Sequence, residues 1–113
     1  MTNNLVNRPC VPCEGDILPL KQEEAEQLLA DLDPAWKIVG GATIRREFLF
    51  KNFARAMAFV DRIADVAESE GHHPDIHIFY NRVVLELTTH AIAGLSENDF
   101  IVAAKIEPMI VFG

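Results

Sequence analysis

Residues 75–90 read DIHIFYNRVVLELTTH, and the way this stretch pairs with itself decides the fold. Apolar and polar side chains alternate through 75–78, two aromatics follow, and a second apolar run begins at Val83, with Asn81 and Arg82 between them. Two such runs around a short polar break signal a β-hairpin. With Asn81 and Arg82 as the loop, Tyr80 opposes Val83, His77 opposes Glu86, and His73 comes roughly opposite His90. Opposed residues share a face of the sheet. Asp75, His77, Phe79, Glu86, Thr88 and His90 are therefore expected on a polar face. Ile76, Ile78, Tyr80, Leu85 and Leu87 are expected on the core face. A slip of one residue would exchange the two sets.

Just upstream lies ESEGHHPD, residues 68–75, in which two of the four histidines are adjacent. It follows an expected helix from 53 to about 70, capped by Asn52 and stopped by Gly71. Phe53, Ala56, Met57, Val60, Ile63, Ala64 and Ala67 recur at three- and four-residue spacing, the stripe of a helix lying on a sheet. Glu68 and Glu70 fall in the last turn, where the helix dipole disfavours acids by a few tenths of a kcal/mol or more each. Some compensating partner is expected there.

Further out, 21–32 reads as a short helix with its acids in the first turns and Pro34 after it. WKIVGGATIRREFLF reads as two strands about Gly40-Gly41, with Ile44, Phe48 and Phe50 on one face and Arg46 breaking the alternation. Ser96 with Asp99 three residues on forms a variant capping box for a last helix reaching about 107, before Pro108. The closing MIVFG is apolar and suits the chain's own core or a second subunit. Residues 1–19 show no periodicity and read as a loop or ordered arm before a domain at 20–113. The order αββαββα indicates a single α+β domain, an antiparallel sheet with helices packed on one face.

The chain has 113 residues, with 17 acidic against 10 basic side chains and a net charge of −7. Such a balance disfavours nonspecific binding to nucleic acid or an anionic membrane surface. No apolar run approaches the ~20 residues that span a bilayer, and no signal-peptide core opens the chain, so a soluble cytoplasmic protein is expected. The two cysteines, Cys10 and Cys13, form a CxxC in a Pro/Gly-rich segment. No second CxxC or CxxH completes a zinc set, so the thiols read as incidental or locally structural.

The hairpin brings His72, His73 and His90 towards one end of the sheet, with Glu68 one helical turn before His72. A polar turn, a metal site and proton-transfer chemistry all use such residues. Adjacent histidines rarely point at one ion together, whereas imidazoles titrate near neutrality and can supply both an acid and a base.

Taken in order, Glu68-x-x-x-His72-His73-Pro74, Tyr80, His90 and Asp99 closely resemble the signature of the pterin-4a-carbinolamine dehydratases. FLFKNFARAMAFVDRIADVAE and THAIAGLSENDF resemble the strand-to-helix passages of that family, and the likeness covers roughly residues 22–107. Ile76 departs from the tryptophan common after the HHP-acid stretch. The resemblance implies a four-stranded antiparallel sheet, helices on one side, and a homodimer or homotetramer. It implies dehydration of 4a-hydroxytetrahydrobiopterin to quinonoid dihydrobiopterin, recycling a pterin for an aromatic amino acid hydroxylase. The pterin is then the substrate, and neither a cofactor nor a metal is required. By the same resemblance the catalytic histidines are His72, His73 and His90, with Glu68, Pro74, Tyr80, Thr89 and Asp99 supporting the site or binding substrate. His77 matches no signature histidine and reads as paired with Glu86 or solvated. Animal members also act as dimerisation cofactors for a transcription factor, so a protein-binding scaffold or coactivator is the alternative; a metal-binding protein is a third.

Overall fold

The computed structural model of this chain describes residues 5–11 and 17–112. Cys13 and the final glycine of MIVFG lie outside the described residues. Helix α1 (Gln22–Leu29) leads to strands β1 (Lys37–Val39) and β2 (Thr43–Leu49). Helix α2 (Phe53–Glu70), strands β3 (Asp75–Phe79) and β4 (Arg82–Leu87), and helix α3 (Glu97–Ile106) follow. Short 3-10 turns occupy Leu5–Asn7, His90–Ile92 and Glu107–Phe112. The strands make one antiparallel sheet in the order β1-β2-β4-β3, the α+β arrangement read from the sequence. As an interior strand β4 buries Val83, Val84, Leu85 and Leu87.

The hairpin register differs from expectation by two residues. Asp75 opposes Glu86, Ile76 opposes Leu85 and Phe79 opposes Arg82, so the turn is Tyr80-Asn81. Asn81 is held across the sheet instead: its Nδ2 donates to Phe50 O at 2.9 Å, and its carbonyl accepts Phe50 N–H at 2.8 Å. That double tie places Asn81 at the end of β2 and leaves Tyr80 to take the left-handed conformation, φ +55°. Because side chains alternate with period two, the shift preserves both faces. Of the expected core-face residues, Ile78 is exposed on the edge strand β3, and Tyr80 leaves the core altogether. It sits exposed at the turn, stacked against Phe53 at 6.5 Å.

Between sheet and helices, Ile44, Phe48, Val83, Leu85 and Leu87 meet Phe59 and Ile63 of α2 and Phe100 and Ile106 of α3. The buried stripe of α2 is Ala56, Phe59, Ile63 and Ala67, while Phe53 and Ala64 are exposed. The expected stripe thus needs turning towards Phe59, which packs 4.7 Å from Phe48 and 4.9 Å from Phe50. Arg46 stays on the inner face of β2 with its Nε buried and unpartnered, while its terminal guanidinium nitrogens reach Asp33 and Glu107. It pairs with Glu107 at 2.6 Å and lies 4.4 Å above the Phe48 ring. Met109 and Ile110 of the closing segment pack against this same core.

After β4 the chain folds back on itself. Thr89 N–H donates to Gly94 O at 2.9 Å, and the loop between them projects His90. A Cβ added at Gly94 would lie 2.7 Å from Pro19 Cβ, a rigid ring rather than a flexible side-chain end. Gly94→Ala is therefore expected to cost about 1–3 kcal/mol by overpacking, read as a lower urea midpoint. An unchanged midpoint would show that the arm at Pro19 yields freely.

Candidate active site

The end of α2 and the end of β4 meet beside the sheet. Gly71, φ +67°, terminates α2 with its N–H on Ala67 O at 2.9 Å, and the following reversal turns successive side chains apart. His72 points inward, 13% exposed, and its Nε2 lies 2.6 Å from Oδ1 of Asp99, which is fully buried. His73 points outward, 58% exposed, with Nε2 on Glu68 Oε2 at 2.5 Å. His90 is exposed at the start of the 3-10 turn after β4.

Asp99 organises the centre. Its Oδ2 accepts Thr89 Oγ1–H at 2.9 Å and the Ser96 backbone N–H at 2.9 Å. Thr89 in turn shares a 2.8 Å hydrogen bond with the Ser96 hydroxyl. The capping relation read between Ser96 and Asp99 thus has a second use, since the same carboxylate that caps α3 also holds His72. The first turn of a helix favours negative charge. An ionised carboxylate can only accept hydrogen bonds, so His72 presents Nε2–H to it. In the neutral imidazole Nδ1 is then the bare, basic nitrogen.

His72, His73 and His90 line one cleft of about 510 Å³ together with Thr88, Thr89 and Asn98, a volume suited to a small ligand. Cys10 and Val11 close it from the N-terminal arm. Pro74 adjoins His73 in sequence. Tyr80 is not brought to the cleft, because the turn lies at the opposite end of β3 from His73. His77 bonds Glu86 at 2.9 Å on the outer sheet face, reached diagonally rather than from directly opposite.

Glu70 has a place at the cleft that its sequence position did not reveal. It was recognisable only as an acid at the unfavourable end of α2. Lys105 Nζ donates to its Oε2 at 2.7 Å and Cys10 N–H to its Oε1 at 2.8 Å, and together they hold this carboxyl below its usual range. Glu68, the other acid of that turn, has His73 as its partner. The Cys10 thiol moves in the opposite direction, pushed up to about 12 chiefly by burial and further by the Glu70 carboxylate. It stays protonated at neutral pH. Among the described residues, no three His, Cys, Asp or Glu side chains are grouped to hold a metal ion.

The family model described as pterin 4 alpha carbinolamine dehydratase matches residues 18–109. A Nitrosomonas eutropha protein whose name assigns it provisionally to these dehydratases is 50% identical over 113 residues, covering 98% of this chain and 99% of that one. A Nitrosospira multiformis protein named likewise is 52% identical over 107 residues, 95% of this chain and 93% of its own. Among solved structures, a transcriptional coactivator/pterin dehydratase from Brucella melitensis superposes with a TM-score of 0.77 at 36% identity, covering 81% of this chain and 98% of that one. A pterin dehydratase-like RuBisCO assembly factor of the alpha-carboxysome, 24% identical with a TM-score of 0.58, covers 67% of this chain and 89% of its own; it shares the fold.

Two substitutions test the electrostatics of the site. Asp99→Asn sets an amide donor against one of three existing donors, and is expected to cost about 1–3 kcal/mol in urea denaturation. It should also remove the Nε2–H preference of His72 in ¹⁵N spectra; an unchanged tautomer would contradict the assignment. Because the Glu70 carboxyl is held low, it stabilises the fold above its unfolded value, and this is lost as pH falls through the folded value. Glu70→Gln should therefore be less stable than wild type near pH 7, with the gap closing below the ordinary value of 4.5. A gap independent of pH would rule out the carboxylate as its source.

Proposed function

The chain belongs to the pterin 4 alpha carbinolamine dehydratase family, and from that membership we propose that it dehydrates 4a-hydroxytetrahydrobiopterin to quinonoid dihydrobiopterin. The observation that carries the reading is the meeting of His72, His73 and His90 in one cleft, with His72 anchored on buried Asp99. In the reaction the C4a–O bond breaks as its oxygen takes a proton and leaves as water, and N5 gives up its proton as the C4a–N5 double bond forms. No electrons leave the substrate, so one acid and one base suffice.

Burial supports a division of labour. His73 and His90 are exposed and can exchange protons with solvent between turnovers, which suits general acid and base. His72 is fixed through Nε2 and offers only Nδ1, which suits orienting or polarising the substrate. Glu68, an exposed partner of His73, holds that imidazole in place. Such an exposed pair adds about 1 kcal/mol at most to stability, so its value lies in position. The proposal extends to tetrahydrobiopterin recycling beside an aromatic amino acid hydroxylase, and to a homo-oligomer. The scaffold alternative asks for an apolar exposed helix face, whereas the outer side of α2 carries Arg55, Asp61, Arg62, Asp65 and Glu68. No described helix is long and apolar enough to cross a membrane.

The test is to follow decay of enzymatically generated 4a-hydroxytetrahydrobiopterin with and without the protein near neutral pH. Acceleration is expected from wild type, with losses of about 100-fold or more in His73→Ala and His90→Ala. Near wild-type rates in both variants would sink the acid–base assignment. No acceleration by wild type would favour the scaffold.

A further inference from the structure

The N-terminal arm lies outside the family match at 18–109, yet it supplies a wall of the histidine cleft through Cys10 and Val11. Its placement is built rather than incidental. Leu5 is buried in the core. Cys10 N–H donates to Glu70 Oε1 at 2.8 Å, and Val11 N–H to Asn98 Oδ1 at 3.0 Å. Asn98 Nδ2 donates back to Val11 O. Glu70 stands two residues before His72, and Asn98 adjoins Asp99. The same two chain segments therefore hold the arm and the His72–Asp99 pair.

These bonds occupy the backbone N–H groups of residues 10 and 11 and the carbonyl of Val11. What the arm offers the cleft is side-chain surface: the branched hydrocarbon of Val11, 60% exposed, and the neutral thiol of Cys10. Of the other polar residues lining the cleft, Glu70 and Asn98 are bonded to the arm's backbone, while His72, His73, His90, Thr88 and Thr89 face it from elsewhere. A cleft apolar on one wall and hydrogen-bonding on the others suits a flat heterocycle, whose edges seek polar partners and whose faces do not. Resting on the dehydratase reading above, we infer that Cys10 and Val11 form the apolar wall against which the pterin ring lies, so that the arm sets substrate affinity rather than the chemical step.

The test uses the full chain. Val11→Asp puts a charge on the wall at an exposed position. It is expected to raise KM for the carbinolamine about five- to tenfold with a much smaller change in kcat, the pattern of lost uniform binding. The Kd of 7,8-dihydrobiopterin, which has no 4a-hydroxyl to lose, should rise by a similar factor in calorimetric titration. Leu18→Asp adds the same charge at an 85% exposed position that does not line the histidine cleft, and is expected to keep wild-type values. Unchanged KM and Kd in Val11→Asp, or an equal rise in Leu18→Asp, would overturn the arm's role while leaving wild-type turnover to uphold the dehydratase. Wild-type protein that neither binds nor turns over pterin would overturn both.

Discussion

The carboxylate of Asp99 is the constraint on which the rest of the site depends. A fully buried carboxylate is costly unless its oxygens are satisfied, and here three donors come from three different places in the chain. His72 arrives from the end of α2, Thr89 from the end of β4, and the Ser96 amide from the start of α3. Removing any one donor would leave the charge under-solvated, so the three segments are held together by a shared electrostatic requirement. The cleft is the space left beside that junction.

A second layer of charge surrounds it. The last turn of α2 carries two acids where the helix dipole disfavours them. Each is offset by a partner that serves the cleft: Glu68 steadies His73, while Glu70 joins Lys105 of α3 to the backbone of the N-terminal arm. An arrangement unfavourable for the isolated helix becomes useful because the partners are tertiary. The arm then closes the cleft using residues that no periodicity marks.

Much of this was legible in the residues themselves. Asn52 and Gly71 bound α2 as read, and the opposite periodicities of strand and helix placed apolar side chains inward. The ordered set of Glu68, His72, His73, His90 and Asp99 was recognisable as a unit, and folding brings these residues to one junction. Phe59 was left out of the expected stripe and Tyr80 was placed on the wrong face, for different reasons. Phe59 lies at the edge of the stripe read from spacing, and only packing against Phe48 and Phe50 shows which way the helix is turned. Tyr80 was assigned inward by alternation, which stops one residue earlier than expected because the turn begins there.

What the sequence by itself determined, then, is the order of elements, the two faces of the sheet and the residues that carry charge into the site. These follow from local periodicity, caps and side-chain chemistry, all readable within a few residues. The tertiary structure alone decided the hairpin register, the burial of His72 against the exposure of His73, and the docking of the arm. Period-two alternation cannot distinguish registers two residues apart, and the choice fell to bonds between Asn81 and Phe50 across the sheet. Adjacent histidines look alike until a buried carboxylate from α3 claims one of them.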